Sequence, residues 1–442
     1  MIQVLLFGNI QHEINLKTDQ PIRKKQYPLP FASQETLRKE VEYMEEIGVI
    51  ERSNSPYCSP IVLIGKPDGS TRVCVDYREI NKQTVFDAEP IPDVEELFIQ
   101  LANKKFFTKV DLSKGFWQIE VRDTDREKTA FQAPQGLFQF IKMPFGLVTA
   151  PATFARMMRH LELEKHSSMN FFDDILTASE NWEQHLIDVS NMLECLEKHG
   201  LTVRPSKIYA GFQELEFLGH IVGEGRIKPE KKKVEKILNI PRPNTKKQIR
   251  SMMGLMGYYR RYIPGYSVIT APITDLLKGN RKPINWTTEC EEALKQVQAI
   301  LSKQPILILP ILNREFTVQT DASNIGVAGV LLQQQEGKLH PVAYVSRKLL
   351  DRETRYSTIE KECLAIVWTL KKLDRYLWGQ NFILQTDHKP LTFLNSAMFK
   401  NNRILGWSLA IQGYQFTVKE IAGKDNVLAD ILSRSGEDQS LP

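Results

Sequence analysis

The sequence predicts an α/β (α+β) protein of two or three domains. Three observations carry the prediction. The chain has 442 residues, more than a single core ordinarily holds. Short β-branched runs alternate with longer segments of helical spacing. The texture also changes twice, near Lys228 and again across 304–313 (QPILILPILN).

The elements follow in order. Residues up to about 35 read as extended, punctuated by Pro21, Pro28 and Pro30. A helix is expected from Ser33, its cap, to Ile47, with Gly48 as the stop. SPIVLIGKPDGSTRVCVDYREIN reads as a hairpin, because Pro67-Asp68-Gly69 joins two β-branched runs. FFTKVDL is a strand, and WQIEV is expected to continue its sheet. PATFARMMRHLE is a helix entered through Pro151. NWEQHLIDVSNMLECLEKHG places Leu186, Val189, Met192, Leu193 and Leu196 at helical spacing and ends at Gly200. LEFLGHIV reads as one strand. KPEKKKVEKILNI and TKKQIRSMMGLMGYYRRYI read as two basic amphipathic helices parted by Pro241-Arg242-Pro243. REFTVQTDAS, VAGVLLQQQ and HPVAYVSRKL are a run of strands, TIEKECLAIVWTLKKLDRYL is a helix, and FILQTDH is a further strand.

An apolar fraction of 42% and a charged fraction of 25% are ordinary for a soluble globular protein. A net charge of +5 and a pI of about 8.7 suit a nucleic-acid partner without requiring one. The five cysteines are scattered, with no Cys-x-x-Cys and no Cys/His cluster of zinc spacing. That pattern reads as free thiols in a reducing compartment. No apolar run approaches the ~18 residues that a membrane span needs. MIQVLLFGNIQHEINL makes a poor secretion signal, because it lacks a basic n-region.

MNFFDDIL puts Asp173 and Asp174 between Phe171-Phe172 and Ile175-Leu176. Two such charges repel by about 4 kcal/mol at ~4 Å and an effective dielectric of ~20. In a strand they would point to opposite faces. A turn between two short strands lets both reach one cleft, where a cation relieves the repulsion. Taken alone, Asp-Asp reads first as simple turn chemistry, and the rest of the chain has to argue for a site. Asp111, in KVDLSKGFWQI, adds a third carboxylate from another strand end. Hard cations such as Mg2+ take carboxylates together with substrate phosphates. Two such ions about 3.5–4 Å apart can clamp a phosphoryl transfer. The second half repeats the theme: Asp321 and Asp387 lie at strand ends, Glu362 on a helix, and Asp430 in NVLADILSR. Singly, each reads as a surface acid, and periodicity cannot gather the four. Glu360 competes with Glu362, two residues away and facing another direction.

SPYCSPIVLIGKPDGSTRVCVDYREIN, KVDLSKGFWQIEV, KTAF, MPFGLVTAPATF, FFDDIL, LEFLGHIV, MGYYRRYI, TVQTDAS, YSTIEKECLAIVW, YLWGQNFILQTDH and NVLADILSR follow one another in a known order. On these residues, from about His12 to Arg434, the chain resembles the reverse transcriptase and ribonuclease H portion of the pol polyprotein of gypsy-like long-terminal-repeat retrotransposons, with retroviruses as more distant relatives. The resemblance implies a right-hand polymerase: fingers and palm over 1–223, thumb and connection over 224–308, a ribonuclease H domain over 309–435 and a tail over 436–442. It implies an RNA-directed DNA polymerase that also degrades the RNA of RNA–DNA hybrids. Asp111, Asp173 and Asp174 match the polymerase metal triad. Phe116 matches the aromatic that excludes a ribose 2′-OH. Lys66 and Arg72 match finger residues that hold the incoming triphosphate. Phe217, Leu218 and Gly219 resemble the grip on the primer, and the two basic helices resemble the thumb. Asp321, Glu362, Asp387 and Asp430 match the four acids of ribonuclease H; aligning Glu-x-x-Ala-Ile selects Glu362 over Glu360.

Two Mg2+ ions per site are implied, with Mn2+ as a substitute. The implied partners are an RNA template, a DNA primer, RNA–DNA hybrid and deoxynucleoside triphosphates. No membrane is involved, a dimer is among the assemblies allowed, and the implied location is the cytoplasm or the nucleus. The chain departs from the family in having Phe171 where Tyr is usual. It also carries the polar run Ser167-Ser168-Met169-Asn170 where an apolar strand is usual, which is expected to disturb local packing of the palm. The loop AGKDN holds no histidine, so none is assigned a catalytic role. No Asp-Thr-Gly or Asp-Ser-Gly protease motif occurs, so the chain reads as a piece of a polyprotein or a truncated gene. Two rival readings are a decayed copy that only binds nucleic acid and an enzyme retaining only ribonuclease H activity.

Overall fold

The computed structural model describes residues 10–65, 71–279, 284–387 and 402–421, with only the backbone of Ala32, Thr71 and Arg72. The chain divides into two compact units, Met1–Leu97 with Lys104–Gln213, and Phe98–Asn103 with Glu214–Pro442. Residues 214–223, grouped with the palm in the sequence reading, belong to the second unit.

The first unit has two cores. In one, the helix Phe31–Glu46 lays Leu37, Val41 and Met44 against Ile50, Ile61, Phe131 and Phe138. These three positions recur at helical spacing, which is why one side of an otherwise charged helix is buried. Strands β1 (Ile50–Arg52), β2 (Ile61–Gly65), β3 (Thr71–Val75), β5 (Phe131–Ala133) and β6 (Gly136–Phe140) form the antiparallel set β1-β6-β5 and the hairpin β2-β3. The other core lies under the antiparallel sheet β7-β8-β4-β9, formed by β4 (Phe106–Asp111), β7 (Ser168–Phe171), β8 (Asp174–Ser179) and β9 (Tyr209–Phe212). The helices Ala150–His160 and Trp182–Lys198 supply Phe154, Met157, Met192 and Leu196 to the core that holds Val110 and Ile175. Val110 and Ile175 are register partners. Strand alternation therefore turns Asp111 and Asp174, the next pair, to the other face.

Three sequence expectations change here. WQIEV does not extend the sheet: Lys114 takes a left-handed φ of 50°, Gly115–Gln118 coils into a 3-10 turn, and Glu120 and Val121 make only isolated bridges. The polar run before Phe171 is a strand after all. Ser168 is buried, and its Oγ meets Thr177 Oγ1 across the ladder at 2.7 Å, which satisfies both hydroxyls. The helix Trp182–Lys198 leaves Leu186 and Leu193 exposed and buries His185 and Asp188 instead. Ser179 Oγ donates to Asp188 at 2.7 Å, and His185 bonds to Thr108 and Ser179, so the polar side is the one with buried partners.

The second unit contains the antiparallel sheet β10-β11-β12-β13, of β10 (Glu214–Phe217), β11 (His220–Gly223), β12 (Arg226–Pro229) and β13 (Leu307–Ile308). It also contains a five-stranded sheet in the order β16-β15-β14-β17-β18. These strands are β14 (Phe316–Ala322), β15 (Gly326–Gln335), β16 (Lys338–Lys348), β17 (Asn381–Thr386) and β18 (Gln415–Glu420). β14, β17 and β18 run parallel, and β15 and β16 are antiparallel hairpin strands. The helix Thr358–Lys372 packs Cys363, Ile366 and Leu370 against Phe316, Val318 and Leu384. LEFLGHIV is a hairpin rather than one strand, because Leu218 and Gly219 both take positive φ (47° and 74°) and make a two-residue turn. The two basic segments after Lys228 are helices at Lys231–Leu238 and Lys246–Gly257, the second closed by a Thr245/Gln248 capping box.

His220 is 3% exposed, stacks between Tyr258 and Tyr262, and bonds Tyr262 Oη through Nδ1 at 2.8 Å. Burial, helped by the nearby Arg261 and Lys233 charges, lowers its pKa from 6.5 to about 3. The unfolded chain therefore takes up this proton below pH 6.5, while the folded one resists until about pH 3. Stability is full above pH 6.5 and falls with acidification, by roughly 2 kcal/mol at about pH 5. Thermal melts of the chain should show this acid limb, and His220→Gln should flatten it. An unchanged limb in the variant counts against a neutral, buried His220.

Candidate active sites

In the first unit, Phe171 pairs with Asp174, which leaves Phe172 and Asp173 as the two-residue turn of the β7-β8 hairpin. Phe172 adopts φ of 52°, the left-handed geometry that such a turn requires. The N–H of Leu112 donates to the Asp173 carbonyl at 3.0 Å and ties the turn to the end of β4. Asp111 lies directly opposite Asp174 in the ladder. Asp111 and Asp173 line one cleft of about 530 Å³ with Gly115, Phe116, Phe145 and Lys207. Asp174 is not among the described lining residues; Lys109 Nζ holds its carboxylate at 3.1 Å.

The electrostatics invite a cation. Burial pushes the Asp173 carboxyl above its ordinary value, and the neighbouring Asp111 and Asp174 charges push it further. Asp111 is 9% exposed and accepts from Lys207 Nζ at 2.8 Å. An ammonium thus sits where a metal ion would otherwise neutralise the carboxylate, so the donor set fits a hard divalent cation. Phe116 stacks on Phe145 (centroids 5.0 Å apart, planes at 26°) and leans on Phe154 at 5.3 Å. Glycine at residue 115 lets the chain pass close beside Asp173. A Cβ there would lie 3.1 Å from the Phe154 ring and 3.3 Å from Asp173 Cβ.

Lys207, Arg204, Lys109 and Phe145 escaped the sequence reading. TVRPSK shows two cations three residues apart, but nothing in that spacing points to an acid so far upstream. Lys66 lies outside the described residues. Arg72 pairs with Ile64 in the β2-β3 ladder, and its side chain is outside the described atoms.

Phe217, Leu218 and Gly219 belong to the second unit. The Phe217 ring is fully buried and meets Phe98 edge-on at 6.3 Å, so it has no surface to offer a ligand. Only the turn itself is accessible. Its carbonyls are already engaged, Leu218 by Tyr258 Oη and Gly219 by Tyr259 Oη at 2.7 Å.

The second unit also builds an acidic cluster. β14 and β17 are parallel neighbours, paired at Gln319 and Gln385, so Asp321 and Asp387 emerge side by side at the same end. The helix Thr358–Lys372 brings Glu362 over them. Ligand oxygens of Asp321, Glu362 and Asp387 lie within 4.8 Å of one another. Burial first, then the Asp321 and Asp387 charges, push the Glu362 pKa from 4.5 to about 9; the Ala322 N–H pulls the other way. Glu362 Oε2 is buried and has no hydrogen-bond partner among the described residues. Three convergent carboxylates with an orphaned oxygen fit a divalent ion. Glu360 is excluded from this role. Its carboxylate closes a capping box on Ser357 and accepts from Arg403 Nη1 at 2.6 Å. Asp430 lies outside the described residues.

A carboxylate-bearing palm sheet and a five-stranded sheet with an acidic triad, in one chain, define the reverse transcriptase class with its ribonuclease H domain. Residues 64–222 match the family described as reverse transcriptase (RNA-dependent DNA polymerase), and residues 312–414 match the RNase H-like domain found in reverse transcriptase. The chain is 39% identical to the retrovirus-related Pol polyprotein from transposon 297 of Drosophila melanogaster, over 97% of this chain and 41% of that protein. It is 36% identical to that of transposon opus from the same organism, over 96% and 44% respectively. With the transposon Tf2-3 polyprotein of Schizosaccharomyces pombe it shares 31% identity over 94% of this chain and 31% of that one. The chain thus spans less than half the length of these relatives.

Among solved structures, the foamy viral protease-reverse transcriptase in complex with dsDNA superposes with a TM-score of 0.81 at 23% identity, covering 98% of this chain and 88% of that one. Its complex with RNA/DNA hybrid gives 0.79 at 22%, covering 98% and 58%. These show a shared fold. The chain belongs to the reverse transcriptase–ribonuclease H portion of the Pol polyproteins of gypsy-type transposons.

Proposed function

We propose that this chain copies an RNA template into DNA from a DNA primer and degrades the RNA strand of the resulting hybrid. The observation that carries this reading is the cleft shared by Asp111, Asp173 and the Phe116 ring. An acidic triad in the other unit adds a second site. Asp111 and Asp173 would hold two Mg2+ ions, or Mn2+ in their place, and Asp174 has the lesser role because Lys109 engages it. When bound, such ions lower the pKa of an attacking oxygen and neutralise charge building on the phosphoryl group. With a metal bound, Lys207 would release Asp111 and stay beside the cleft as a cation for the nucleotide phosphates. The resemblance assigns Lys66 and Arg72 to the incoming deoxynucleoside triphosphate. Asp321, Glu362 and Asp387, with Asp430, would hold the ions of the second site, where water attacks the RNA strand. The free thiols suit the reducing interior of a cell.

Extension of a DNA primer on an RNA template with Mg2+ and deoxynucleotides tests the first half, and cleavage of an RNA–DNA hybrid tests the second. A chain that does neither overturns the reading. The Phe116 ring, braced by Phe145 and Phe154, acts as a steric stop under the sugar. Phe116→Val should raise ribonucleotide incorporation relative to deoxynucleotide by about a hundredfold, on the order of 3 kcal/mol of lost discrimination. An unchanged ratio in single-nucleotide extension removes Phe116 from this role.

A further inference from the structure

Lys361 is an unusual residue for its surroundings. It stands beside Glu362 on the helix Thr358–Lys372 and is only 9% exposed. Its Nζ donates to Asn324 Oδ1 at 2.8 Å. Among the described residues it has no other hydrogen-bond partner and no carboxylate at ion-pair distance. A largely buried ammonium held by one neutral amide is costly unless an anion completes its shell. It has two further donors to give.

The surroundings are rigid and open. Asn324 is exposed and sits in the turn between β14 and β15. The Ser323 N–H donates to the Gly326 carbonyl at 2.9 Å, and Ser323 Oγ accepts from the N–H groups of Ile325 (3.1 Å) and Gly326 (3.0 Å). The turn begins two residues after Asp321. Consecutive helix residues therefore clasp one strand end: Glu362 meets the Ala322 N–H, and Lys361 meets Asn324.

We propose that Lys361, positioned by Asn324, is a phosphate-binding residue of the second site and takes a non-bridging oxygen of an RNA-strand phosphodiester next to the one being cut. This deepens the hydrolytic half of the proposed function and rests on it. The acidic triad repels the nucleic-acid backbone, and a fixed cation at its border offsets that repulsion and sets which linkage lies over the acids. No bond to Lys361 forms or breaks.

The test uses the full chain and RNA–DNA hybrids in which RNA-strand phosphates are replaced, one at a time, by uncharged methylphosphonates. With the wild-type chain, one linkage flanking the cut should lower the cleavage rate by about tenfold when neutralised, as expected for loss of one charge-assisted hydrogen bond. In Lys361→Gln the same replacement should cost nothing further, and KM should rise with little change in kcat. Asn324→Asp, which neutralises the lysine without removing it, should behave alike and serves if Lys361→Gln does not fold. Independent effects at every linkage, or coupling only to the DNA strand, overturn the proposal. If the wild-type chain cleaves no hybrid, the hydrolytic function itself falls, which is a distinguishable result.

Discussion

Asp173→Asn should reduce primer extension by about a thousandfold or more and leave hybrid cleavage within about twofold of wild type. The physical reason is charge at one point. Asp173 sits in a two-residue turn that faces the cleft, and Asp111 reaches the same cleft from β4. Asparagine keeps the shape and can still offer one oxygen, but it removes the negative charge on which tight binding of a divalent ion depends. Folding should not suffer. Burial and two neighbouring carboxylates disfavour the charged form of Asp173, so without metal the amide is expected to melt at or above the wild-type temperature. Extension on an RNA template and hybrid cleavage, measured on the same preparation, provide the check. Wild-type extension by a folded Asp173→Asn chain sinks the assignment.

Glu362→Gln should give the mirror result: cleavage falls by about a thousandfold while extension continues. A second readout does not involve activity. With its pKa raised to about 9, Glu362 keeps its proton in the metal-free fold, while the unfolded chain releases it near 4.5. Stability from this group is therefore full below pH 4.5 and is lost as pH climbs toward about 9. A divalent ion reverses this by favouring the anion. Without metal, Glu362→Gln should melt higher than wild type at alkaline pH, by roughly 4 °C or more. The variant should also lose most of the upward shift that Mg2+ or Mn2+ produces in wild type. Asp387→Asn, being at an exposed position, should lose cleavage without the gain in metal-free stability. If Glu362→Gln responds to metal like wild type, the cation is not held by this triad.

Much of the architecture was legible because it is local. Short β-branched and aromatic runs marked β4, β14 and β17, and the entry through Pro151 marked the helix Ala150–His160. The exceptions share a cause, which is that a neighbour distant in sequence decided the conformation. Ser168 joins a strand because Thr177 waits across the ladder. Leu186 and Leu193 face outward because Ser179 and Thr108 reward His185 and Asp188 for facing in. Phe217 is spent on the core by Phe98. Leu218-Gly219 turned a supposed strand into a hairpin through two positive φ values. Only Gly219 advertised this in the sequence.

The sequence by itself determined which acids exist, which strands and helices carry them, and the family to which the chain belongs. These follow from residue identity and short-range period. The tertiary structure alone decided which acids meet. It set Asp111 opposite Asp174 while pointing Asp173 into the cleft, and it gave the physical ground for Glu362 over Glu360, which the family alignment had already selected, by sending the latter to a capping box and Arg403. It also supplied the cations Lys207, Lys109 and Lys361 at their stations. Coulomb and hydrogen-bond energies depend on distance in space, and distance in space between residues far apart in a chain is written only in the packed fold.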